Sequence, residues 1–132
     1  MIRVVLDTNV IVSAFLTPAG KPASVLQSVL RHDLDICFDT AILAEYEEVL
    51  SRPKFAGSVH RPSIERFIEL LSGIGIKITC IPSHFHLPDE KDRKFYDAAV
   101  AAGAFLITGN KRHFPDENFI FEPAGFLLEK MQ

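Results

Sequence analysis

The chain has 132 residues, 48% of them hydrophobic, and a formal net charge of −3. That length and apolar fraction suit one domain with a sizeable core and exclude a disordered chain. No apolar run approaches a membrane span, and the opening MIRVVLDTN lacks the regions of a secretory signal, so a cytoplasmic protein with no membrane partner is expected.

Ile2 to Leu6, rich in β-branched residues, predicts a buried strand that ends at Asp7. A helical stretch covers about Asn9 to Phe15. The loop TPAGKP then breaks the chain, and Pro22 suits the first turn of a helix reaching about Arg31. Leu34 to Phe38 reads as the second strand. Asp39 and Thr40 can cap a helix starting near Ala41, with Ile42, Tyr46, Val49 and Leu50 on one face and Pro53 at its end. A further helix follows Pro62, carries Ile64, Phe67, Ile68 and Leu71 on one side, and stops at Gly73 and Gly75. Ile76 to Ile81 alternates as a strand. After the polar segment PSHFHLPDEKDRK, whose start is loop-like, a helix runs from near Asp92 to Ala102, with Gly103 as its stop. Phe105 to Thr108 is a strand, GNKRHFPDEN a loop, Phe119 to Phe121 a short last strand, and Pro123 opens the final helix.

This alternation predicts a parallel sheet with helices on both faces. Ligands in such sheets gather at the carboxyl ends of the strands, near a topological switch point. The two cysteines, Cys37 and Cys80, sit in the apolar runs DICFD and IKITCIP and read as buried strand thiols; they lack the paired spacing of a zinc site.

Three carboxylates fall where chemistry is expected. Asp7 directly follows the first strand, where its alternative role is a helix cap. On a helical wheel Glu45 borders the apolar face of its helix, beside Val49. Asp92 lies mid-face on a helix carrying Phe95, Tyr96 and Ala99; in its first turn it can reach the sheet edge and gains from the helix dipole. Asp97 points away from that face and reads as solvated. Carboxylates gathered together repel, and a cation that keeps them ionised would be a hard divalent one. No P-loop and no GxSxG motif is present.

LDTNVIVSAF, LAEYEEVLSRPKF, DRKFYDAAVAAGAFLITGN and the following RHFP, in that order over nearly the whole chain, resemble a PIN domain, most closely the branch of toxins related to VapC. The resemblance implies a three-layer α/β/α fold with a mostly parallel sheet, with residues 1–132 as one PIN-like nuclease domain. It implies a ribonuclease using Mg²⁺ or Mn²⁺, held by Asp7, Glu45 and Asp92. It also implies a homodimer and an antitoxin that inserts a helix or extended segment into an apolar groove, for which Ile11, Phe15, Val25 and Leu26 are candidates, with core packing the alternative role for most of them. A fourth family acid falls on Asn110, which keeps an oxygen acceptor without the charge. A related branch has an acid where this chain has His113; Asp116 is a substitute. Thr8 and Thr108 are expected to support the site by hydrogen bonding.

An acidic protein that binds RNA needs its cations in a separate patch. Arg52 and Lys54 follow the Glu45 helix, Arg93 and Lys94 follow Asp92, and Lys111, Arg112 and His113 follow TGN, a set that predicts a basic rim. Thr8, Asn9, Arg52, Lys54, Thr108, Lys111 and Arg112 are the expected substrate contacts. One rival reading is a degenerate PIN module that binds RNA or protein without cutting. Another is a phosphatase with Asp7 as nucleophile, which lacks the second Asp and the Lys such chemistry needs.

Overall fold

The computed structural model describes residues 1–131. Strand β1 (Arg3–Leu6) leads into α1 (Thr8–Leu16) and α2 (Lys21–Leu30). β2 (Asp35–Phe38) is followed by α3 (Thr40–Leu50) and α4 (Arg61–Ile74). Then come β3 (Ile76–Lys77), α5 (Arg93–Ala102), β4 (Phe105–Ile107), β5 (Ile120–Phe121) and α6 (Pro123–Lys130). Single 3₁₀ turns occupy Pro53–Phe55, Glu90–Asp92 and Lys111–His113.

The strands lie in the order β3-β2-β1-β4-β5 and every pairing is parallel. This is the α/β architecture that the alternation of strands and helices predicts. Parallel neighbours require crossover helices, and right-handed crossovers put the helices before and after a reversal of strand order on opposite faces. The reversal falls at β1, whose Val4 pairs with Ile36 on one side and Phe105 on the other. Both flanks of β1 are covered, so Val4, Val5 and Leu6 are fully buried, and the run reads as continuously apolar. The carboxyl ends of β1 and β4 therefore stand side by side, Asp7 after one and Thr108 after the other, with the Asp7 N–H donating to Ile107 O at 2.9 Å.

Asp39 caps α3, its carboxylate accepting from the Ile42 N–H at 2.8 Å. Gly103 ends α5 at φ +61°, a left-handed conformation that favours glycine. Gly75, not Gly73, ends α4. A Cβ at Gly75 would stand 2.1 Å from Phe38 Cε2 and 2.9 Å from Leu71 O. Gly75→Ala is therefore expected to destabilise the fold by about 1–3 kcal/mol, as overpacking against a buried ring does. Urea unfolding checks this, and an unchanged midpoint would mean the ring moves aside freely.

Three local expectations are corrected. β3 is two residues long, although the alternation continues to Ile81: its neighbour β2 ends at Phe38, so after Ile78 N donates to Phe38 O the segment has no ladder to join, and Ile81 is 89% exposed. Cys80 is consequently outside any strand and half-buried, while Cys37 is buried in β2. Asp97 is not solvated. It is buried, and both its oxygens accept from the Ser83 N–H at 3.2 Å, because the 81–90 loop folds back over α5. Among the described residues, no helix is long and apolar enough to cross a membrane.

Candidate functional site

Asp7 is 6% exposed and stands at the N-terminus of α1, yet its carboxylate makes no capping bond to the helix. The capping role therefore does not account for it. Its Oδ2 accepts from Thr108 Oγ1 at 2.7 Å and faces Asn9 Nδ2 at 3.4 Å. Burial pushes its carboxyl up to about 6, partly offset by the Thr108 hydrogen bond and reinforced by the negative charges of Asp92 and Glu45. A buried acid whose carboxyl is raised by burial and by two neighbouring acids marks a candidate functional site.

Thr108 is fully buried, and its hydroxyl also accepts from the Asn110 N–H at 3.0 Å. Asn9 Oδ1 accepts from the Gly109 N–H at 3.0 Å. The turn after β4 is thus tied to the residues after β1 by two short bridges that converge on Asp7. Tyr46, which the wheel assigned only to the core, lies beneath this point. Its buried hydroxyl donates to Leu6 O and anchors the end of β1 to α3. An aromatic with a polar tip, next in sequence to Glu45, was the available signal.

Glu45 on α3 is half-buried. Its Oε2 accepts from the Thr8 hydroxyl, and its Oε1 lies 2.7 Å from Lys94 Nζ. Asp92 ends the 3₁₀ turn before α5, with His113 Nδ1 3.6 Å from its Oδ2. Burial raises the Asp92 carboxyl, as do Asp89 and Glu45, while His113 and Lys94 oppose the rise. The fold thus brings Asp7, Glu45 and Asp92 into one another's electrostatic reach at one edge of the sheet. Among the described residues, no three His, Cys, Asp or Glu side chains stand close enough to share one ion as placed. The donors are nonetheless oxygens of the kind a hard divalent cation takes, and Asp7 lacks a cationic partner of its own.

The structure sorts the remaining residues. Thr8 and Thr108, counted among substrate contacts, are buried and turn their hydroxyls to Glu45 and Asp7. Asn110 is exposed, and its backbone rather than its side chain makes the bond to Thr108. Arg52 pairs with Glu48 at 2.8 Å, and Lys54 lies over the Phe55 ring at 5.1 Å. Arg93 does not join a rim: it holds Ser83 O and Oγ, Phe85 O and Glu90, clamping the 81–90 loop. Lys94 turns inward to Glu45. Lys111 and Arg112 are exposed, and Lys111 lines clefts of about 670 and 600 Å³ on either side of the TGN turn. Asp116 is exposed and lines the second cleft, apart from the Asp7 contacts.

The sequence profile of a family described as PIN domain matches residues 3–112. An uncharacterised protein of Methanocaldococcus jannaschii, MJ1680, is 30% identical over 113 residues, covering 83% of this chain and 72% of that one. Among solved structures, PAE2754 from Pyrobaculum aerophilum aligns with a TM-score of 0.61 at 13% identity, over 96% of this chain and 88% of that one. VapBC2 from Rickettsia felis, solved bound to a DNA fragment from its promoter, aligns with a TM-score of 0.56 at 18% identity, over 92% and 98% of the two chains.

Proposed function

This chain belongs to the PIN-domain family, and on that premise we propose that it hydrolyses RNA phosphodiesters at a divalent-metal centre held by Asp7, Glu45 and Asp92. PIN domains are generally nucleases. The observation that carries the reading is Asp7: a buried, uncapping carboxylate at the switch point of the sheet, pushed up to about 6 beside two further acids. Bound Mg²⁺ or Mn²⁺ would supply an activated water and a counter-charge for the phosphodiester.

The chain's own residues then have definite tasks. Thr108 fixes the Asp7 carboxylate through Oδ2, and Thr8 fixes Glu45 through Oε2. Asn110 stands where a fourth acid is expected and would offer an uncharged acceptor in its place. Hydrolysis adds water across one P–O bond and leaves one strand ending in phosphate and one in hydroxyl. Cleavage of single-stranded RNA with Mn²⁺, abolished by chelator, tests the reading. Metal-independent RNA binding with no turnover would instead favour the non-catalytic module that Asn110 motivates.

Lys111 and Arg112 are the cations best placed to meet phosphates, since they are exposed beside the clefts that flank the TGN turn. Changing both to Ala is expected to weaken RNA binding and to flatten its log–log salt slope by about 1.4, at roughly 0.7 per single-strand phosphate contact. Unchanged binding across a salt series would remove both residues from the substrate path.

The proposal extends to residues 1–132 as a single nuclease domain and to a toxin role with an antitoxin partner, on the likeness to VapBC2. The same reading includes a homodimer. An apolar cleft of about 230 Å³ lined by Phe15, Leu26, Leu30 and Phe67 is of the kind that accepts a partner's helix.

A further inference from the structure

Glu45 has both oxygens engaged within the protein. Thr8 donates to Oε2, and the Lys94 ammonium lies 2.7 Å from Oε1. The two charged side chains are only 25% and 22% exposed, so water and salt weaken this pair less than a surface ion pair. Lys94 is held in place: Nζ also donates to Lys91 O at 2.5 Å and lies 5.0 Å from the centre of the Phe95 ring. Two residues after Asp92, it joins the first turn of α5 to α3, the elements that position two of the three acids. Asp92 has His113 nearby, while Asp7 has only hydroxyl and amide donors.

We infer, on the reading that Asp7, Glu45 and Asp92 bind a divalent ion, that Lys94 is that ion's internal competitor, holding Glu45 until the ion displaces it. Thr8 leaves one Glu45 oxygen for a cation, and Lys94 occupies it. Lys94 is thus a positioning residue: its charge stabilises the metal-free site and sets the metal affinity.

A competitor and a mere orienting residue predict opposite signs. Titration calorimetry with Mn²⁺ alone, without RNA, separates them. Lys94→Met is expected to tighten Mn²⁺ binding on the order of tenfold, as removing a unit charge near the site does. Lys94→Arg keeps the charge and is expected to stay near wild type. Lys94→Gln serves as a second neutral variant, with thermal unfolding checking that each variant is folded. Wild-type binding together with unchanged or weaker binding in the neutral variants would overturn the competitor role and leave the metal reading standing. No Mn²⁺ binding by the wild type or by either neutral variant would overturn both.

Discussion

Asp7→Asn is expected to reduce Mn²⁺-dependent RNA cleavage at least about a hundredfold while leaving the protein folded and, without metal, more stable at neutral pH. The activity loss follows from removing the central ligand of the proposed centre; loss of a partner that only supports a ligand costs roughly 10–100-fold. The fold should tolerate the change because Asn keeps an oxygen to accept from Thr108, and the Asp7 carboxylate makes no helix cap that Asn would lose. The gain in stability follows from burial. The Asp7 carboxyl is pushed from 3.8 up to about 6, so holding it ionised in the folded state is unfavourable by about 3 kcal/mol. Neutral Asn removes that penalty. RNA cleavage assays beside urea unfolding in chelator measure both effects on one preparation. Equal cleavage by wild type and variant would reject Asp7 as a ligand. Lower metal-free stability in the variant would mean that the buried charge has a partner in the protein.

Much of this site could be read from one element at a time. Asp7 was legible because a β-branched run ends there, and Glu45 because it borders the apolar arc of α3. What escaped depended on contacts between elements far apart in sequence. Asp97 lies off the apolar face of α5, and the wheel turned it to solvent; the wheel knows nothing of the 81–90 loop that folds back and offers the Ser83 N–H. Lys94 read as one of a row of surface cations, since its partner Glu45 lies on another helix. Arg93 failed as a rim residue because the same loop presents carbonyls to it. The alternation of Ile76 to Ile81 was real, but pairing needs a neighbour, and β2 ends at Phe38 where Asp39 begins the cap of α3. The parallel sheet was legible in the alternation of strands and helices, whereas its strand order rests on pairings between distant segments. Which acids share a field was settled by the packing of α3 and α5 against the sheet.

The same buried charge sets a pH dependence. Below about 3.8 Asp7 is protonated in both the folded and unfolded chain and contributes nothing. Between about 3.8 and 6 the unfolded chain ionises while the folded one keeps its proton, so the folded state binds more protons and stability falls as pH rises. Above about 6 both are ionised and the loss is complete at about 3 kcal/mol. Asp92, also raised, adds in the same direction. The exposed pairs Glu48–Arg52 and Glu90–Arg93 act oppositely: their carboxyls are depressed, and their contribution is lost only as pH falls. They are surface pairs, so their effect is small. Measured against Asp7→Asn, the metal-free wild type is therefore expected to lose stability between about pH 4.5 and pH 7.5. On the proposed function, saturating Mn²⁺ would bind the ionised carboxylate of the folded state and should restore stability at the upper end, flattening or reversing the trend. Thermal unfolding at both pH values, with Mn²⁺ and with chelator, measures it. Asp7→Asn should lose most of the slope in chelator and gain little from Mn²⁺. A metal-free pH dependence that is the same in wild type and Asp7→Asn would mean that Asp7 is ionised without penalty, and the case for a cation at this point of the sheet would lose its physical basis.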